Sequence, residues 1–513
     1  MKKILSIIMS LILIFLSFTS CSDNNKNQNP DTDNKITPAN GGTVKLSCVS
    51  VDTMNPIITK HASVSDFLSL IYEGLFVVKP DHTLEGVLAS DYTVSDNNTV
   101  YTINLKDNIK FHNGRFFTAD DVVATLNYMA LYTTRWSHFM QYISGYFAKD
   151  KHTVVIRLNS SKTDFANNLD FPILPSGLMA DDFMPENSSF IPMGTGMYEY
   201  DTTIAYKNIM LVANEEWHGG ADRAYIDKVN IEILSDEETI ISAFDAGTVD
   251  ALTTSWIGFG DLALASSMFN TFECEDNRFT FVGINCSSMY FDTAKERRIL
   301  SQGIDNKKIT EDIMLGHAVV ASSPLRDSVY YNVDTDTIAL DSEEEKKNTA
   351  DTTPIEIRLL YNQESKTKNR IASSIKHQLE AKGYSVYLDA QSKQAYMDKI
   401  ATGDYELYIG EVKLSQSGDM QFMFSSPYSG ICNYDDGEFR ALVTNLDLVS
   451  DAEAKKVAWE NFEKYYKSSV PQIPLYFTNR AVFINKRING KLKPNLSIPF
   501  YGFDDMFIEV RKN

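Results

Sequence analysis

Apolar positions along this chain change period in a regular way, and the changes mark elements. Between Val100 and Lys106 the side chains alternate, with Tyr101, Ile103 and Leu105 on one side and Thr102 and Asn104 on the other. A period of two predicts a half-buried strand. Residues 43–49 (TVKLSCV) predict another, leading into a loop from Ser50 to Asn55. Asp66 to Leu75 spaces Phe67, Ile71 and Leu75 four apart, the period of a helix face. Ile109 to Phe111 predicts a short strand before an Asn113-Gly114 turn. Thr118 with Asp121 has the spacing of a capping box, so a helix is expected over Asp120 to Tyr132. Further on, Val229, Ile231 and Ile233 alternate, Ser235 and Glu238 cap a helix that stops before Gly247, and Val249 to Leu252 resumes as strand.

The pattern is clearest near the C-terminal third. Ile355 to Tyr361 predicts a strand, Lys366 to Ala381 an amphipathic helix ended by Gly383, and Ser385 to Leu388 a strand. Lys393 to Ala401 predicts a helix ended by Gly403, and Tyr405 to Val412 a third strand. Such alternation implies a parallel sheet covered on both faces, with ligands held at the carboxyl ends of its strands. That end holds Glu411 and Lys413. Residues 334–352 are charged and poor in apolar side chains, as in a solvated surface loop.

The N-terminus has a different logic. Lys2 and Lys3 precede an apolar run from Ile4 to Phe18, too short for a membrane span of about 20 residues and suited to a signal peptide. The stretch Leu16 to Cys21 resembles a bacterial lipobox, with Phe18 where Leu is usual. It implies that Cys21 is lipidated and becomes the mature N-terminus. Residues 22–40 are polar and rich in Asn, so they read as a flexible tether. Their DTDNKIT stretch lacks the Gly and the final Glu that a calcium loop needs.

A length of 513 residues implies two or three domains, and 43% apolar residues suffice for a core. The net charge of −20 argues against a nucleic-acid partner, which needs clustered Lys and Arg. Five cysteines are too few for a disulfide scaffold; Cys274 and Cys286 could be bridged or remain buried thiols. Catalytic motifs are missing: there is no GxSxG, no HExxH, no GxxxxGK[ST], and no two of the eight histidines lie three or four apart. No cofactor or metal is implied. His112, just before a turn, is expected to be structural. Aromatic residues make up 12% of the chain, mostly for packing, with room for some in a cleft that grips an organic ligand.

Several segments together resemble the extracytoplasmic solute-binding proteins that deliver peptides, and in some members nickel chelates, to ABC transporters. The strongest is IKFHNGRFFTADDVV (109–123), similar to that family's strand, His-x-Gly turn and Thr-Ala-x-Asp-Val helix start. DFLSLIYEGL (66–75), LEGVLASDYTVSDNNTVYTINL (84–105), IPMGTGMYEY (191–200), NEEWHGG (214–220), AFDAGTVDAL (243–252), the stretch 296–325 and VPQIPLYF (470–477) follow in the family's order.

The resemblance implies an α/β fold, a two-lobed periplasmic-binding-protein-like clamp with three domains. After the signal peptide (1–20) and tether (21–41), domain I would comprise 42–60, 188–277 and 478–513, domain II 61–187, and domain III 278–477. The crossings near 276–282 and 476–482 would be hinge strands, with ligand held between domains I and III. The expected function is capture of peptides or peptide-like small solutes, without catalysis, by a monomer anchored through lipid to the outer face of the cytoplasmic membrane. Its partners would be an ABC permease and ATPase. A secreted or surface-anchored hydrolase and a sensor or adhesion receptor are the alternatives. Candidate ligand-binding residues are Asn55, Glu411, Lys413, Ser415 and Asp419. Peptide-binding relatives place an Asp for the ligand's amino group where this chain has Ser415. Glu411 or Asp419 could supply that charge, whereas Lys413 would suit an anionic ligand or simply line the rim.

Overall fold

The computed structural model describes residues 38–178, 191–204, 207–220, 223–254, 268–328, 331–334, 354–414, 420, 434, 436–449 and 451–509. The expected signal peptide with Cys21, nearly all of the expected tether, nearly all of the stretch 334–352, Ser415 and Asp419 lie outside these residues. The body running from Ala39 onward is described by itself.

Three main sheets organise it. The first is four-stranded, in the order Thr43–Cys48, Lys228–Ile233, Asn208–Ala213, Tyr198–Ile204, with the first pair parallel. The second is an antiparallel sheet of Ala89–Ser95, Val100–Leu105, Thr153–Leu158 and Ile143–Asp150. Strand Val100–Leu105 buries Tyr101, Ile103 and Leu105 and leaves Thr102 and Asn104 half-buried, as its alternation requires. The third sheet has seven strands and includes Glu356–Asn362, Ser385–Gln391 and Leu407–Lys413, joined by helices Lys366–Glu380 and Lys393–Thr402. Those three strands are parallel, as their spacing predicts. The sheet as a whole is mixed, because Leu407–Lys413 pairs on its other edge with an antiparallel strand, Phe269–Ile284.

Local expectations fail where tertiary bonds take over the backbone. The helix expected over Asp66 to Leu75 instead spans Ala62–Leu68. Beyond it, the Leu70 and Ile71 carbonyls accept from Tyr198 N–H (3.0 Å) and Gly196 N–H (2.9 Å), so they leave the helical ladder. Ile109 to Phe111 forms no full strand; Lys110 and Phe116 make an isolated bridge around a turn at Gly114, whose φ is +80°. The cap of helix Glu237–Asp245 is Asp236, accepting from Thr239 N–H at 2.8 Å, one residue after the expected Ser235. The strand after that helix, Ala251–Thr254, joins the seven-stranded sheet rather than returning to Lys228–Ile233. Thr118 and Asp121 do form the expected capping box, on helix Ala119–Leu131.

Two strands are much longer than the rest, Phe269–Ile284 and Gln472–Asn485, and they pair antiparallel. Val482 and Ile484 bury in a core shared with Val44, Phe67, Ile103 and Leu211. Val282, Ile284, Ile473 and Leu475 bury in another, with Leu359, Ile375 and Leu407. The pair thus runs from one apolar core into another. Its register breaks between Glu275 and Phe279, facing Asn479 and Phe477. A bulge bends a ladder and loosens its pairing locally.

Candidate functional site

The long strand pair and its neighbour set out a row of charged side chains where the two cores meet. Lys413 lies directly opposite Arg278, and Glu411 opposite Thr280. Directly opposed residues share a face, so Glu411, Lys413 and Arg278 project together. Glu411 Oε1 accepts from Arg278 Nη1 at 3.1 Å, and Asp276 Oδ2 lies 3.6 Å from Arg278 Nε. On the next strand, Arg480 pairs with Asp66 of helix Ala62–Leu68, which also accepts from Thr253 Oγ1 at 2.7 Å. Arg135 donates from Nη1 to Ser65 Oγ (2.6 Å) and lies 4.0 Å over the Trp136 ring. Lys413 makes no hydrogen bond or ion pair among the described residues. Lys413 is itself exposed, yet the protein around it pushes its ammonium pKa down, Arg135, Arg480 and Arg278 push it further, and Asp276 opposes them. Lys368, 5.2 Å over the Tyr396 ring, is also lowered by burial, with Glu411 opposing.

Of the residues singled out from sequence, Glu411 and Lys413 are therefore brought together. Asn55 is not joined to them. It is buried, its amide Nδ2 donates to Tyr128 Oη at 3.1 Å, and its Oδ1 accepts from Ile57 N–H at 2.9 Å. Arg135, Arg278 and Arg480 were not picked out from sequence. A lone arginine in a loop or strand carries no signal until pairing shows what it faces.

A second polar cluster is built from the family-like segments. Glu73 accepts from Trp217 Nε1 (3.1 Å) and Thr195 Oγ1 (2.8 Å), and its Oε2 lies 2.6 Å from His218 Nε2. Beside it, His112 lies within 3.1 Å of the Gly196 carbonyl through Nε2 and accepts from Gly194 N–H through Nδ1 at 3.4 Å. A carbonyl only accepts and an amide only donates, so His112 is neutral with its proton on Nε2. Burial pushes its pKa below the ordinary histidine value. Gly194 must be glycine, since a Cβ there would lie 1.9 Å from the Ile71 carbonyl oxygen. YEGL, KFHNG, MGTG and EEWHGG, scattered along the chain, thus meet at one joint.

The sulfur atoms play no part in either cluster. Cys274 and Cys286 are unbridged, with Sγ within 3.5 Å of the Asn495 and Ile284 carbonyls respectively, and burial pushes both thiols up to about 11. Most aromatic contacts are core packing, as in the stacked Phe279 and Phe281 and the stacked Phe439 and Phe462. Among the described residues no helix is long and apolar enough to cross a membrane, and no His, Cys, Asp and Glu group could hold a metal.

A mixed α/β body with two cores strung on one strand pair is the architecture of a two-lobed solute-binding protein. Residues 83–433 match the family model of the bacterial extracellular solute-binding proteins, family 5 Middle, and the chain belongs to that family. It is a binding protein of the transport class and not an enzyme. The oligopeptide-binding protein AppA of Bacillus subtilis (strain 168) is 21% identical over 95% of this chain and 96% of its own length. Heme-binding protein A of Haemophilus influenzae is 23% identical over 87% of this chain and 89% of its own. The crystal structure of the ABC transporter substrate binding protein CtaP from Listeria monocytogenes superposes with a TM-score of 0.77 at 20% identity, covering 92% of this chain and all of that one.

Proposed function

We propose that this chain is the lipid-anchored receptor of an ABC importer. It acts as a monomer at the outer face of the cytoplasmic membrane, captures peptides or peptide-like small solutes and hands them to a partner permease and its ATPase. Cys21 carries the lipid, and residues 22–40 give the receptor a short leash. A coil of about 20 residues reaches roughly 25 Å. Domain I comprises 42–60, 188–277 and 478–513, domain II 61–187, and domain III 278–477. Ligand is gripped between domains I and III, with Asn55, Glu411, Lys413, Ser415 and Asp419 as contacts.

The observation that carries the reading is the strand pair Phe269–Ile284 and Gln472–Asn485, which passes between two cores and loses register between them. A paired strand is stiff, so bending concentrates where pairing is broken. Contacts at a different place support two lobes that meet. Lys162 pairs with Asp447 at 2.6 Å and Lys455 with Asp164 at 2.9 Å, crossing between the segment after strand Thr153–Leu158 and the helices Gly437–Leu448 and Ala452–Ser469.

The test is a thermal-shift screen of the purified chain against peptide pools, sugars, haem and metal chelates. A ligand at 100 times its Kd stabilises the fold by about 2.7 kcal/mol. A clear rise in Tm with peptide pools is expected. No shift with any class would overturn the reading. Radiolabelled lipid should incorporate into the wild type and not into a Cys21→Ala variant; incorporation that survives the substitution would show that Cys21 does not carry the lipid.

A further inference from the structure

We infer that residues 161–164 and the helices Gly437–Leu448 and Ala452–Ser469 form a releasable latch that holds the two lobes in their observed arrangement. The inference rests on the solute-binding reading above for its purpose, since a latch that slows lobe opening sets how long a captured solute stays.

All four side chains of Ser161-Lys162-Thr163-Asp164 reach across. Lys162 Nζ donates to Asp447 Oδ2 at 2.6 Å, and Asp164 Oδ1 accepts from Lys455 Nζ at 2.9 Å. Ser161 Oγ and Thr163 Oγ1 each donate to the Asp447 carbonyl at 3.1 Å, and Thr163 Oγ1 also donates to the Val449 carbonyl. The pairs are reciprocal, with one lysine and one aspartate on each side. Reciprocal charges fix the register of docking, because a shifted contact would set lysine against lysine or aspartate against aspartate.

Both sides are firmly mounted. The Lys162 carbonyl accepts from Tyr101 Oη at 2.6 Å, and Tyr101 is buried in the first core beside Phe165. Asp164 aims its carboxylate from a left-handed φ of +58°, a conformation that aspartate tolerates better than most side chains. Opposite, Phe439 and Val443 of one helix and Ala458 and Phe462 of the other bury with Phe281 and Tyr408 of the seven-stranded sheet. The buried apolar side chains on the two sides belong to separate cores, while ion pairs and hydrogen bonds cross between them. Parting an apolar interface exposes it to water at full cost, whereas lysine, aspartate and hydroxyl groups regain hydrogen bonds to water. The four charged side chains are nevertheless between 7% and 21% exposed, so their attraction is stronger than at an open surface. None of these residues is a candidate ligand contact, so the latch can be altered without touching the solute.

Charge reversal on the intact purified chain tests the latch. Lys162→Asp and Asp447→Lys each set like charges face to face, and the double variant restores an opposite pair. Small-angle scattering of the solute-free chain should give a larger radius of gyration for each single variant and the wild-type value for the double. A captured peptide pool should dissociate roughly tenfold faster or more from each single variant, with the double recovering the wild-type rate. A variant that fails to fold loses its near-ultraviolet circular dichroism. In that event Lys455→Gln and Thr163→Val, which create no like-charge contact, carry the same two measurements. Wild-type scattering from folded single variants overturns the inference, whichever solute the chain takes. A change that the double variant does not reverse sinks it too, because the pair itself would not be the cause. Altered scattering with an unchanged dissociation rate removes the role in retention. If no pool binds, the solute reading falls, and scattering alone still decides whether the latch holds the lobes.

Discussion

The cluster around Glu73 and the cluster around Lys413 differ in how their charges are balanced, and that difference sets a structural joint apart from the candidate site. Glu73 is surrounded by donors from two segments and has a partner at each oxygen. Burying it is tolerable because nothing is left unpaired. The Lys413 cluster has more donors than acceptors and lies open at a junction between cores. Lys413 and Arg135 are exposed, so solvent takes the place of a protein partner for both charges. The saturated cluster contains the segments most recognisable in sequence. The unsaturated one contains arginines that no motif singles out. The recognisable signature of this family therefore marks, in this chain, the joint that keeps the fold, while the candidate ligand contacts lie elsewhere.

The largest effects are expected at the Glu73 joint. Gly194→Ala would drive a Cβ into the Ile71 carbonyl, and the backbone of one segment must yield. Destabilisation of about 4 kcal/mol is expected in urea unfolding. A loss below about 1 kcal/mol would mean that the segments slide apart easily and the joint is soft. Glu73→Ala strips the acceptor from Trp217, Thr195 and His218, for an expected loss of about 3 kcal/mol with ligand affinity of the folded fraction unchanged. If affinity fell while stability held, Glu73 would belong to the binding site and the distinction would fail.

At the other cluster the expected outcome is reversed. Lys413→Met should alter unfolding by less than about 0.5 kcal/mol, because it removes no described bond, while binding responds. A stability loss comparable to that of Glu73→Ala would show that Lys413 is a scaffold residue.

The smallest effect concerns pH. His112 is held neutral in the fold, with its pKa below the ordinary value of about 6.5. Below that value the unfolded chain takes up a proton that the folded chain refuses. Stability present above it is therefore lost as pH falls toward the folded pKa. Unfolding free energy measured between about pH 7 and pH 5 should decline, and His112→Gln should flatten the slope. An unchanged slope would assign the decline to other groups.

By itself the sequence determined the local elements whose periodicity and stop signals agree. The parallel strands Glu356–Asn362, Ser385–Gln391 and Leu407–Lys413 with their helices follow from alternating apolar runs ended by glycine; Gly383 and Gly403 adopt φ of +89° and +72° where the helices stop. The capping box of Thr118 and Asp121 was equally local. Family membership was also legible, because segments 66–75, 109–123, 191–200 and 214–220 keep the residues that must meet at one joint. What tertiary structure alone decided were the places where a distant partner competes for the backbone or fixes a charge. The helix after Asp66 ends early because Gly196 and Tyr198 take its carbonyls. Strand Ala251–Thr254 leaves its expected unit because a long strand offers it an edge. Lys413 and Arg278, 135 positions apart in the chain, become neighbours only through strand register. Periodicity reports which face of an element is apolar, but partner choice depends on hydrogen bonds and ion pairs across hundreds of residues, and no local window contains both members.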